Sequence, residues 1–297
     1  MSSRLVDPNH PFKLVYSFNE HPKFGPMLAA YVVQTNERGG FLGTYSRLMP
    51  NSIERYHKAL DEEDERIVEQ LEEIVLQKLY RKFKKKENNL QVFIHRFEDN
   101  PLNKYIKEYI QRRIVKVLPL IAHKAVALAK QDGHPVGKML SIVPFKIPAG
   151  FEVKRTPEGL HYAARFELDG QRLKLHERPS KIVCLSPPWL RYDTLIFEVG
   201  NLPDGKRLTP FLKKPEIFIP KNKEQEFFEK FLLKVVADCE IEAQGITIDE
   251  VQEPAEFELH LAQETEGYLT LKPRVRYGNF VIPLASDTRH HVELERK

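Results

Sequence analysis

Gly133-His134-Pro135-Val136-Gly137-Lys138-Met139 is the nearest approach to a phosphate-cradling loop in the chain. Such a loop needs fixed glycine spacing, a lysine, and then a hydroxyl residue to hold magnesium. Here the spacing is one residue short, Met139 replaces the hydroxyl, and Pro135 removes a backbone donor. The string Asp61-Glu62-Glu63-Asp64 has the composition of a metal-holding acidic box. It follows no apolar strand, and its place suits the first turn of a helix, where the macrodipole favours negative charge. Asp193, Glu198 and Lys206 lie near strand ends, and they are the residue types of a metal-dependent nuclease. His290 and His291 are adjacent, so on a strand they point to opposite faces. No serine has the flanking glycines of a nucleophile elbow. Neither Cys184 nor Cys239 has a Cys or His at metal-knuckle spacing. The expectation is a chain that is not itself an enzyme, with no catalytic or metal-binding residues and no cofactor of its own.

Residues that could bind are easier to find. Residues 54–75 carry about 9 acidic and 3 basic side chains, whereas 76–138 carry about 15 basic and 5 acidic. The basic stretch includes Lys82, Lys84, Lys85, Lys86, Arg112, Arg113 and Lys116. One reading is a phosphate-facing surface, although lysine outnumbers the arginine that base readout would prefer. The alternative is a set of solvated helix faces paired with the acidic segment. Arg274 and Arg276 share one strand face, with Tyr277 beside them, and could grip phosphate or simply face solvent. Trp189, Arg191 and Tyr192 could stack on a base, or Trp189 could belong to a sheet core.

Those residues need a scaffold, and the composition supplies one. With 297 residues, 41% hydrophobic and 30% charged, the chain suits about two globular domains. Net charge is only +4. No apolar run reaches the ~18 residues of a membrane span, and residues 1–13 lack the apolar core of a secretory signal. Two cysteines in this length point to a reducing compartment, and the expected location is the cytoplasm.

Residues 13–18, 28–34 and 41–48 read as strands, with 36–40 as a hairpin loop. A short helix is expected from Ser52 and a longer one from Asp61 or Glu63, with Val68, Leu71, Val75 and Leu79 as its buried stripe. Asn100-Pro101 marks another start, followed by Ile106, Ile110, Ile114, Val117 and Ile121 on one face. Pro119 and then Asp132-Gly133 end the helical region.

After Met139 the period shifts towards two. Strands are expected at 151–155, 160–168, 171–175, 182–185, 194–199, 217–219, 256–263, 268–277 and 280–284. Asp169-Gly170 suits a type I′ turn, and a helix over 223–237 should bury Phe227, Phe228, Phe231, Leu232 and Val235. The fold class is α+β. A mixed N-terminal half, 1–138, holds a small antiparallel sheet plus helices. A β-rich antiparallel domain with one packed helix follows at 139–297. Residues 292–297 still alternate like a strand with no stop signal, as expected of a segment of a longer chain.

Several runs carry a family resemblance. They are Trp189-Leu-Arg-Tyr, Leu195-Ile-Phe-Glu, Leu208-Thr-Pro-Phe-Leu-Lys-Lys, Ile217-Phe-Ile-Pro, Phe227-Phe-Glu-Lys-Phe-Leu-Leu and Ile241-Glu-Ala-Gln-Gly. Together they resemble the accessory region that precedes the motor in bacterial Swi/Snf-family helicase-like ATPases. The Gly267-Tyr-Leu-Thr-Leu-Lys-Pro-Arg-Val-Arg-Tyr-Gly run is similar to an element of the same region. So are Leu14-Val-Tyr-Ser-Phe-Asn-Glu-His-Pro and Tyr31-Val-Val-Gln near the N-terminus. The resemblance implies a regulatory module whose partners are double-stranded DNA and the motor domain of the same parent chain. ATP and magnesium would belong to that motor and not to this segment. A metal-dependent nuclease or other hydrolase, built on Asp193, Glu198 and Lys206, is the alternative. A protein-interaction adaptor, marked by an exposed apolar patch, is the third reading.

Overall fold

A computed structural model of the chain describes residues 5–232, 235, 239–246, 254–265, 268–277 and 280–283. The N-terminal alternation is realised as β1 (Phe12–His21), β2 (Gly25–Thr35) and β3 (Phe41–Arg47), an antiparallel meander. The β2–β3 loop works as its composition requires. Gly39 takes a φ of 78°, and the Gly40 amide donates to Asn36 Oδ1.

Five helices follow: α1 (Ile53–Tyr56), α2 (Glu62–Glu72), α3 (Leu76–Phe83), α4 (Leu90–His95) and α5 (Asn103–Val117). The acidic string caps α2: Asp61 and Asp64 exchange side-chain and backbone hydrogen bonds in a capping box. The single long helix expected from residue 61 is in fact two. The amides of Ile74 and Val75 turn back three residues, to Leu71 and Glu72, and Val75 is extended. The apolar stripe conceals this break, because Val75 and Leu79 keep helical spacing across it. Asn89 caps α4, which the sequence reading lacks, by accepting from the Val92 amide. α5 begins two residues after Pro101, and Ile106, Ile110, Ile114 and Val117 are all fully buried along it. Ile121, beyond its end, is fully buried too.

The remainder is β-rich: β4 (Val126–Leu128), β5 (Met139–Ile142), β6 (Gly150–Thr156), β7 (Gly159–Leu168), β8 (Gln171–Leu173), β9 (Ser180–Cys184), β10 (Trp189–Tyr192) and β11 (Leu195–Glu198). Then come β12 (Ile217–Pro220), α6 (Glu224–Phe227) with a π-helical turn at Phe228–Leu232, and β13 (Glu240–Gln244). β14 (Glu256–Thr265), β15 (Tyr268–Tyr277) and β16 (Phe280–Pro283) complete the described elements. Asp169 and Gly170 both take positive φ, 50° and 73°, as a type I′ turn requires. The strand-like alternation of 292–297, the pair His290-His291 and residue 284 lie outside the described residues.

The chain forms two compact units, both discontinuous: Met1–Pro148 with Phe166–Lys213, and Ala149–Arg165 with Lys214–Lys297. A division between residues 138 and 139 would cut the first unit's sheet. That sheet has eight strands in the order β3-β2-β1-β4-β5-β11-β10-β9. The small N-terminal sheet is therefore part of a larger one. It is mixed, because β1/β4 and β5/β11 pair in parallel. α5 touches β2 near one edge and β9 at the other, so the sheet curls around this helix. Lys181 on β9 accordingly reaches Glu20 on β1.

In the second unit the described sheet runs β12-β7-β6-β13, with β6/β13 parallel. Phe151 stacks on Tyr162 at 5.1 Å, and Phe227 and Phe231 meet the same ring edge-on at 5.4 and 5.3 Å. A three-stranded antiparallel sheet, β14-β15-β16, follows. An α+β class describes the molecule, with three parallel pairs where antiparallel pairing was expected. Among the described residues no helix is long and apolar enough to cross a membrane.

Candidate nucleic-acid interface

The basic stretch is gathered where the C-terminal end of α3 meets α5. Phe83, the last residue of α3, is buried and holds the two helices together by edge contacts to Tyr109 at 5.5 Å and Tyr105 at 5.9 Å. This brings Lys82 and Arg113 onto one aromatic ring. Lys82 Nζ lies 4.3 Å from the Tyr109 centroid and donates to its hydroxyl at 3.0 Å. The Arg113 guanidinium sits 5.2 Å from the same centroid. The Tyr109 hydroxyl donates in turn to Glu73 at 3.0 Å, and Glu73 lies 3.9 Å from Lys82. The hydrogen bond to Tyr109 holds the Lys82 ammonium above its ordinary pKa, so this charge persists at any physiological pH.

Lys84, Lys85 and Lys86 leave α3 as an exposed run. Lysines at a helix C-terminus complement its dipole. The amides of Lys85 and Lys86 donate to Glu87 Oε2 at 2.7 and 3.1 Å, which sets the turn while their ammonium groups stay in solvent. Lys84 Nζ sits 5.3 Å from the Tyr80 ring. On α5, Arg112 pairs with Glu108 at 3.8 Å, and Lys116 is exposed with no ion pair among the described residues. Seven of the nine predicted cations thus share one helical region. Two of them, Lys82 and Arg112, are partly neutralised by neighbouring glutamates.

Arg274 and Arg276 are on β15, which belongs to the second unit. They face Glu258 and Glu256 across the ladder. Arg276 Nε donates to Glu258 Oε1 at 2.6 Å. The pair is therefore interleaved with glutamates and is not a bare cationic strip.

Trp189 settles as a core residue. It is 3% exposed and shares a cluster with Cys184, Ile110 and Ile114. Its ring is closed off to any base. Burial also pushes the Cys184 thiol up, which makes it a poor nucleophile.

The nuclease candidates do not converge. Asp193 opens the β10–β11 turn and pairs with Lys138, while Glu198 ends β11 and pairs with Lys146 at 2.8 Å. Asp193 sits in the turn before β11 with a φ of 52°, Glu198 closes that strand, and the length of β11 lies between them. The Lys206 amide donates to Asp204 as a local cap. Asp193 lines a groove of about 420 Å³ with Arg172, Arg178, Tyr192 and Thr194. Among the described residues no group of three or more His, Cys, Asp or Glu is placed to hold a metal.

The acidic string has a further partner. Lys124, in the segment before β4, contacts Asp61, Glu63 and Asp64 at 2.9, 3.4 and 2.8 Å. The buried Tyr16 hydroxyl donates to Asp64 at 2.6 Å. Burial first, then the Asp64 hydrogen bond, pushes the Tyr16 phenol well above its usual range.

Sequence reasoning misses Tyr109 and Tyr105 as members of the basic surface. Both lie in the helical segment that contributes Arg112 and Arg113, but only the α3–α5 contact brings Tyr109 to Lys82 and Tyr105 to the Phe83 ring. Comparison with protein-family models, with curated proteins and with solved structures finds no match.

Proposed function

We propose that this chain is an accessory, non-catalytic module of a DNA-translocating ATPase of the Swi/Snf type, touching the phosphates of double-stranded DNA through α3 and α5. The observation that carries the DNA part is that Lys82 of α3 and Arg113 of α5 share the Tyr109 ring, with Lys84, Lys85 and Lys86 exposed just after α3 and Lys116 exposed on α5. Sequence-independent phosphate binding needs exposed cations on a rigid support. The supports here are the buried Phe83 and the fully buried stripe of α5. The link to a motor rests on the sequence resemblance alone.

The test is titration of a labelled duplex at several salt concentrations. The logarithm of affinity should fall linearly with the logarithm of salt. Lys82→Glu with Lys85→Glu and Lys86→Glu should weaken binding uniformly across sequences and reduce the slope by about one per contact removed. Salt-independent binding, or no binding to any duplex, rejects the proposal.

A protein-interaction adaptor is the second reading. It rests on Phe257 and Leu259, which are 77% and 70% exposed on one face of β14. Retention of a partner by the native chain and its loss in Phe257→Ser with Leu259→Ser would favour it.

A further inference from the structure

The α3–α5 junction holds two tyrosines that differ in one respect. The Tyr109 ring is already occupied by Lys82 and Arg113 and anchored through its hydroxyl to Glu73. Tyr105 lies one helical turn earlier on α5 and is 51% exposed. Phe83 supports it edge-on at 5.9 Å. Among the described residues no lysine or arginine lies over its ring, and its hydroxyl has no hydrogen-bond partner.

The surroundings match this open ring to one ligand chemistry. Lys82 Nζ lies 5.8 Å from the same Phe83 ring that props Tyr105. The exposed run Lys84-Lys85-Lys86 continues directly from Phe83. Proteins that hold single strands without sequence preference combine cations that track the backbone with aromatic rings on which bases stack. A fully paired duplex presents phosphates to such a surface and keeps its bases inside. Only an unpaired base can use the ring.

We infer that Tyr105 is a stacking platform for an unpaired base, and that this surface accepts single-stranded nucleic acid with Lys82, Lys85 and Lys86 on the adjoining phosphates. The inference builds on the phosphate-binding reading above and adds a substrate class to it.

Two labelled probes test it on the full chain: a thymine oligonucleotide of about twenty nucleotides, and a duplex of the same length. Tyr105→Leu retains apolar contact with Phe83 but removes the π face, so the fold is preserved, and thermal unfolding checks this. It should weaken the single strand on the order of tenfold and shift the single-strand to duplex affinity ratio by nearly as much. Tyr105→Phe should restore the ratio. If Tyr105→Leu leaves the ratio within twofold of the wild type while both probes still bind, the stacking site is refuted and phosphate binding stands. If neither probe binds the wild-type chain, both fall together.

Discussion

Lys124 Nζ lies 2.8 Å from Asp64 Oδ1, with the two side chains only 11% and 7% exposed. The pair ties the first turn of α2 to the segment entering β4. Tyr16 on β1 donates to the same carboxylate oxygen. Helix, central strand and parallel strand thus meet at one carboxylate.

Removing one partner should be costly, because a buried charge would be left alone. Lys124→Met is expected to destabilise the first unit by about 3 kcal/mol, read as a lower urea midpoint. The double variant Lys124→Met, Asp64→Asn should regain more than half of that loss. Tyr16→Phe removes one hydrogen bond to a charged acceptor and should cost about 2 kcal/mol.

The same cluster sets a pH dependence. The hydrogen bond from Lys124, then that of the Asp64 amide, holds the Asp61 carboxyl below its ordinary 3.8. Its contribution is therefore present above about 3.8 and is lost as pH falls further. Desolvation lowers the pKa of Lys124, but its hydrogen bonds to Asp64 and Asp61 outweigh this and hold it above 10.5. Its contribution is present below 10.5 and is lost as pH rises through the folded value. Between these limits the contribution of this pair to stability against urea should be flat. Asp61→Asn should remove part of the slope on the acid side only.

Glu73 restrains the basic surface by neutralising Lys82 and accepting from Tyr109. Glu73→Gln should raise duplex affinity about threefold, the scale of one exposed charge. Unchanged or weaker binding, measured by anisotropy at constant salt, would separate Lys82 from the interface.

Gly159 is required where β7 passes β12. A Cβ there would lie 2.2 Å from the Ile219 carbonyl oxygen, whereas one at Gly43 would meet nothing within 4 Å. Gly159→Ala should cost about 2 kcal/mol or more and weaken hydrogen-exchange protection along Ile217–Pro220. Gly43→Ala should leave that segment unchanged.

How much of this was legible depends on the range of each interaction. Ile106, Ile110, Ile114 and Val117 announce α5 because helical spacing is a local property, and Asp169-Gly170 announces its turn because two residues suffice to build it. The break at Ile74 escaped, since the stripe from Leu71 to Leu79 keeps its period across it. β4 and β13 escaped because each is short and pairs in parallel with a strand far away in sequence.

By itself, then, the sequence determined the α+β class, the meander, the buried face of α5 and the cationic character of residues 76–138. Each follows from local periodicity or composition. Tertiary structure alone decided that Trp189 is core and that Asp193 and Glu198 answer to different lysines. It also decided that Lys82 and Arg113 share Tyr109 while Tyr105 is left open. Those outcomes depend on which distant segments touch, and a polypeptide's local pattern is the same whichever partner its side chains find.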